Sequence, residues 1–297
     1  MVEMNARILA SIFEYLKNRP TIESIGIESY RQLLEKGAAA FKPDETVRFD
    51  AFTVNNIPCE FAVPENDEGK SLIVYVHGGG YIAGSINSHR ELGSRIARYT
   101  GSKLLLFDYR LAPEHPFPEG LEDVQAVYQW VLDRCDPGTS IALVGDSAGG
   151  GLALTLVSLL LKNKARLPAC LCLMSPWIDL ECKNDSHTDD AIHDPMLNQA
   201  ILEKTARFYT DRDLSDPMIS PINNDFSGIC PVLIQVGGHE VLLDDSKKLH
   251  EKLKTISALV TLEVWDEMFH VWQYFSRYLK EGRDAVRSIS NFIQKHQ

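Results

Sequence analysis

The segment Ile141-Ala142-Leu143-Val144 passes without a linker into Gly145-Asp146-Ser147-Ala148-Gly149-Gly150, and Gly151 to Leu161 behind it is apolar and of helical length. The short apolar run reads as a buried strand and the longer one as the helix that follows it. A chain that goes from strand to helix within so few residues turns tightly, and glycines stand where side chains would collide. Such a unit belongs to a parallel sheet covered by helices. It also lifts the hydroxyl of Ser147 out of the sheet, beside a helix N-terminus that favours negative charge. Small residues equally serve a non-catalytic strand-to-helix turn, so the case for Ser147 as a nucleophile needs other residues.

The first of these is His77-Gly78-Gly79-Gly80-Tyr81, which follows another apolar run, Leu72 to Val76. Acyl transfer builds negative charge on a carbonyl oxygen, and backbone N–H groups in a glycine loop can meet it without obstruction. Gly78 and Gly79 are the expected donors, with the N–H of Ala148, the residue after the serine, completing the oxyanion hole. His77 is expected to orient this loop rather than act as a base.

A nucleophilic serine needs a base, and the base needs an acid. Of nine histidines, His270 follows the strand-like run Val260 to Trp265 and precedes a terminal helical stretch. That is the place for the base when the chain order is serine, acid, histidine. His187 and His193 lie in a polar stretch with no strand before it. His239, His250 and His296 read as solvated or helix-surface residues. The acid is expected after the preceding strand, Pro231 to Gly237. Glu240 stands closest to the strand end and is the chosen acid. Asp244 is the runner-up, because Asp244 and Asp245 also fit the first turn of the helix that begins there.

These segments together resemble the hormone-sensitive-lipase-like bacterial esterases, a branch of the α/β-hydrolases. The matching stretches are His77 to Tyr81, Asp108-Tyr109-Arg110-Leu111-Ala112-Pro113-Glu114, Gly145 to Gly150, Ser175-Pro176-Trp177 and the final His270, spread over roughly residues 45 to 295. Within that family, Gly84 to Arg90, Glu240 to Asp245 and His270-Val271-Trp272 look most like the monoterpene ε-lactone hydrolases. The departure is Glu240, where aspartate is commoner; a glutamate still reaches an imidazole N–H. The resemblance implies an α/β-hydrolase fold and a cofactor-free serine carboxylesterase acting on short to medium acyl esters or lactones. The other readings are a hydrolase-fold protein that binds without turnover and an amidase with the same triad.

Length and composition agree. A chain of 297 residues with 44% hydrophobic content supports one sizeable α/β domain. No stretch approaches ~20 consecutive apolar residues, so no membrane span is expected. The start, Met1 to Arg7, lacks an apolar signal core. The six cysteines form no C-x-x-C pair, and Cys170 and Cys172 alternate along a strand, which fits reduced core thiols in a cytoplasmic protein. A net charge of -11 argues against nucleic acid and anionic membranes as partners. A small-molecule ester or lactone is the expected partner, and a homodimer is left open. No metal-ligand spacing, dinucleotide fingerprint or phosphate loop is present, so neither metal nor cofactor is expected.

Punctuation sets the organisation. Helices are expected at Asn5–Lys17 and Thr21–Leu34, and a hairpin at Val47–Val54 and Ile57–Val63 across Asn55-Asn56. Strands follow at Leu72–Val76, Lys103–Tyr109, Ile141–Val144, Leu171–Met174, Val232–Val236 and Thr261–Val264, alternating with helices in a mostly parallel sheet. Between Leu180 and Pro221 the alternation stops. This insertion and residues 1–42 are expected to form a helical cap on a single domain, with Ile201, Leu202, Phe208 and Tyr209 either lining a pocket or packing the cap. Arg110 with Asp123 is read as a loop brace, Asp146 as a hydrogen-bonding residue beside the nucleophile, and Trp177 as a buried aromatic near a strand end.

Overall fold

The computed structural model describes residues 2–189 and 192–297. Two helices, α1 (Val2–Lys17) and α2 (Ile22–Ala38), precede the strands β1 (Val47–Val54), β2 (Ile57–Pro64) and β3 (Ser71–Val76). Helices and strands then alternate: α3 (Ile86–Thr100), β4 (Lys103–Phe107), α4 (Glu119–Arg134), β5 (Ser140–Asp146), α5 (Ser147–Lys162) and β6 (Cys170–Met174). After α6 (Gln199–Tyr209) come β7 (Val232–Gly237), α7 (Leu243–Thr255), β8 (Val260–Trp265) and α8 (Lys280–Lys295). Among the described residues, no helix is long and apolar enough to cross a membrane.

The eight strands form one sheet in the order β1-β2-β4-β3-β5-β6-β7-β8. Only the pairings made by β2 are antiparallel, and the rest are parallel. The β1–β2 hairpin closes at Val54 opposite Ile57. Asn55 and Asn56 carry φ of 48° and 70°, the left-handed pair that a two-residue hairpin turn requires.

The strand period of two divides the core. Leu72, Val74 and Val76 of β3 and Ile141 and Leu143 of β5 face a layer containing Leu121 and Val124 of α4, Leu152 and Leu156 of α5 and Leu249 of α7. Ile73, Tyr75, Ala142 and Val144 face the opposite layer, with Leu92 and Ile96 of α3 and Val286 and Ile289 of α8. Central strands sandwiched in this way carry no polar face, which is why they read as continuous apolar runs. Cys170 and Cys172 both lie in the second layer. A third cluster joins Ile12 and Leu16 of α1 to Met268, Phe269 and Trp272, beside the segment that carries His270.

Two expected elements end elsewhere. β4 stops at Phe107 rather than Tyr109. Asp108 Oδ1 turns to accept from Ile86 N at 2.6 Å, and Tyr109 Oη donates to His77 O at 2.9 Å. Both side chains are engaged by the glycine loop and the helix after it. The second helix runs on to Ala38 but is broken at Gly26, whose φ of 75° is not helical.

Candidate active site

The turn between β5 and α5 brings Ser147 to φ 50°. The residues two positions away on either side are glycines for a measurable reason. A Cβ on Gly149 would stand 2.2 Å from Val76 O, and one on Gly145 2.6 Å from Gly149 O. The backbone therefore approaches β3 closely, and Ser147 is held at the C-terminal end of the sheet.

Three expected residues meet there. Ser147 Oγ lies 3.0 Å from His270 Nε2, and His270 Nδ1 lies 2.8 Å from Glu240 Oε2. Glu240 is fully buried, Ser147 and His270 nearly so. Burial alone would depress the His270 pKa, but the Glu240 carboxylate, helped by Asp194 and Asp146, more than offsets it and leaves the imidazole above its ordinary value. With Nδ1–H donated to Glu240, the Nε2 lone pair faces the serine hydroxyl. This arrangement can take a proton from Oγ and return it.

Two supporting residues were not recognised from sequence. Ser175, at the end of β6, donates from Oγ to Glu240 Oε1 at 2.8 Å and accepts from Val271 N at 3.1 Å. It ties the acid to the residue beside the base. Its signal was present in Ser175-Pro176-Trp177, a polar residue directly after an apolar strand. Asp194, in the insertion between Leu180 and Pro221, accepts from Val241 N at 3.1 Å and from Met196 N and Leu197 N. Desolvation, partly opposed by His270, raises its carboxyl to about 6.

The glycine loop corrects one expectation. The N–H of Gly78 is directed at Asp146 Oδ1, 2.9 Å away, so it is not free to meet an oxyanion. A Cβ on Gly78 would stand 2.3 Å from Asp146 Oδ2, which explains the glycine by packing instead. Among the described residues, the N–H groups of Gly79 and Gly80 have no hydrogen-bond acceptor, and both residues line the cavity over Ser147. Asp146 also accepts from Tyr75 Oη at 3.0 Å and faces His89 Nε2 at 3.4 Å. Burial would raise its carboxyl, yet His89 and Tyr75 hold it below the usual range. His77 Nδ1 donates to Gly78 O at 2.8 Å, and the ring stacks on Tyr109 at 4.2 Å. Burial and the neighbouring His89 lower the His77 pKa to about 3, so it stays neutral and holds the loop.

A cavity of about 280 Å³ opens over Ser147 and His270. Tyr15, Leu16, Ile22 and Leu34 from the first two helices, Ile201 and Leu202 of α6, and Trp177 contribute to its wall. Tyr209 instead stacks on Tyr81 at 3.9 Å, and Phe208 packs on the core. Arg110 braces its loop to Asp123 at 2.8 Å. Asp244 and Asp245 lie in the first turn of α7 and face the chain between Ile178 and Ser186.

A family profile described as an alpha/beta hydrolase fold matches residues 73–274. An acetyl-hydrolase of Streptomyces hygroscopicus is 39% identical over 247 residues, covering 82% of each chain. An esterase of Acinetobacter venetianus is 33% identical over 276 residues, 92% of this chain and 90% of its own. A crystal structure of an esterase from the bacterial hormone-sensitive lipase (HSL) family superposes with a TM-score of 0.90 at 37% identity, covering 98% of both chains. The sheet, the serine turn and these similarities agree: the chain belongs to the α/β-hydrolase fold family, among the esterases of hormone-sensitive-lipase type.

Proposed function

We propose that the chain hydrolyses short to medium acyl esters through a Ser147–His270–Glu240 triad. The observation that carries this reading is the unbroken hydrogen-bond chain from Ser147 Oγ through both imidazole nitrogens to Glu240. Ser147 Oγ attacks the acyl carbon while its proton passes to His270 Nε2. The N–H groups of Gly79 and Ala148 receive the oxyanion, with Gly80 in the place first assigned to Gly78. Collapse of the tetrahedral intermediate expels the alcohol with the proton from His270, and water then cleaves the acyl-enzyme by the same steps. Glu240 orients the imidazole and stabilises the imidazolium.

Residues 1–42 and about 180–221 act as the cap, consistent with the cavity-lining positions of α1, α2 and α6. Relatives described as an acetyl-hydrolase and an esterase support ester chemistry. Lactones fall within the same mechanism, and the likeness of residues 84–90, 240–245 and 270–272 to lactone hydrolases extends the proposal to them.

The test is Ser147→Ala assayed on p-nitrophenyl butyrate. The variant should fold and lose about three to six decades of kcat, with residual catalysis from the oxyanion hole. Near-normal turnover by a folded variant refutes the reading.

A further inference from the structure

Among the described residues, two carboxylates line the cavity over Ser147, and both are engaged by the protein. Glu91 Oε1 accepts from Arg95 Nε, and Asp146 Oδ1 accepts from Gly78 N and Tyr75 Oη. Two cations line the same cavity from the cap side, Lys17 at the end of α1 and Arg19 in the turn before α2. Neither side chain makes a hydrogen bond or ion pair among the described residues. The carboxylates nearest to them in the chain are taken: Glu14 accepts from Asn18 Nδ2 at 2.7 Å, and Glu23 faces Lys204 Nζ at 3.8 Å. Lys17 is exposed and also suits the negative end of α1, so Arg19 carries the argument. Arg19 is half-buried, with its guanidinium 5.8 Å from the centroid of the Tyr15 ring. It also lies within electrostatic reach of the Tyr30 hydroxyl. Tyr15 and Tyr30 both line the cavity. Desolvation raises the Tyr30 pKa against the pull of Arg19, so its hydroxyl stays protonated, and among the described residues it has no hydrogen-bond partner. A chain of net charge -11 thus borders its cavity with donors, two of them cationic, that no group of its own satisfies.

We infer that Arg19, with Lys17 and the Tyr30 hydroxyl as further donors, binds a carboxylate that the ester carries away from its scissile carbonyl. The substrate class is then anionic esters, such as half-esters of dicarboxylic acids, an inference that rests on the esterase reading above. A planar guanidinium donates two parallel hydrogen bonds to a carboxylate, which a neutral ester leaves to water. The overall negative charge repels anions at long range, so a local pair of cations is what admits one.

The experiment compares two matched pairs of esters that differ only in a carboxylate or its neutral primary amide. One pair, mono-p-nitrophenyl adipate and the p-nitrophenyl ester of adipamic acid, carries the group on the acyl side. The other, 4-butyryloxybutanoate and 4-butyryloxybutanamide, carries it on the alcohol side, with released acid titrated. The wild-type protein at low salt should prefer the carboxylate by about fivefold or more in kcat/KM in one pair. In Lys17→Gln/Arg19→Gln that ratio should fall to about one or below. Lys36→Gln/Lys42→Gln removes the same formal charge at exposed positions that do not line the cavity, and the ratio should stay. The readout is a ratio within one protein, so a general loss of activity does not move it. Salt supplies a measurement that needs no variant: raising NaCl from about 10 mM to about 0.5 M should bring the wild-type ratio toward one. Should the double variant not fold, Arg19→Gln alone should lower the ratio in the same direction. A wild-type ratio of one or less in both pairs overturns the inference, as does a preference that survives substitution at Lys17 and Arg19 or falls equally in the Lys36 and Lys42 variant. Failure to hydrolyse even p-nitrophenyl butyrate sinks the esterase reading and this inference with it; hydrolysis without discrimination sinks only this one.

Discussion

Ser147 is held in a left-handed backbone conformation that costs a non-glycine residue about 1–3 kcal/mol. The surrounding close-packed glycines and the β5–α5 junction impose that cost, and in return the hydroxyl faces His270. At the same scale, the raised pKa of His270 has a working consequence. Attack requires the neutral imidazole, so kcat/KM falls as pH drops through a value above the ordinary 6.5. Glu240→Gln removes the charge that raises it. The variant should lose about two to four orders of magnitude in kcat, and its acid limb should move to lower pH. A pH–rate profile checks both effects. Wild-type turnover with an unmoved limb would refute Glu240 as the acid. The residue-scale error at Gly78 is instructive: consecutive glycines announce a close backbone approach, but not which N–H is already taken. Asp146, sixty-eight positions along the chain, decided that.

At the scale of elements, the start of α7 fastens the segment after β6 to the sheet. Asp245 Oδ1 accepts from Ile178 N and Asp179 N, both at 3.0 Å. Its Oδ2 accepts from Asn184 Nδ2 at 2.7 Å and faces the buried His187 at 3.4 Å. Asp245→Ala would strand these donors inside the protein and should destabilise it by about 3–5 kcal/mol. The Asp244 carboxylate accepts from Ser186 N at 2.9 Å, and Asp244→Asn should cost about 1 kcal/mol. Urea titration of the two variants gives the comparison, and equal losses would contradict it. His187 adds a pH dependence. Burial would lower its pKa, yet Asp245 and the backbone raise it. The stability from its protonation is therefore fully present below pH 6.5 and is lost as pH rises through the folded value.

At the scale of the whole molecule, the first two helices and α6 contribute to the walls of a cavity of about 280 Å³ above the serine. A pocket of that size fits the short or medium acyl chain proposed above. Across a p-nitrophenyl ester series, kcat/KM should peak at short to medium chains and fall by about tenfold or more at the longest ones, the fall expected when a few methylenes no longer fit. Hydrolysis of emulsified triglyceride should be poor. A rise continuing to the longest chains, with strong activity at the emulsion surface, would contradict this account of the pocket.

The amino-acid sequence by itself determined the alternation of strands and helices, the hairpin at Asn55-Asn56 and the candidacy of Ser147, Glu240 and His270. Each follows from local rules: a buried strand is apolar, a tight turn needs glycine, and a fold of this kind delivers its base after the last strand. Tertiary structure alone decided where β4 ends, that Ser175 bridges the acid to the base loop, that Asp194 reaches Val241, and that Gly78 is occupied by Asp146. Those are matters of pairing between groups far apart in the chain. A side chain's type limits the bonds it can make, but only packing determines which partner comes within about 3 Å and whether water is shut out around it.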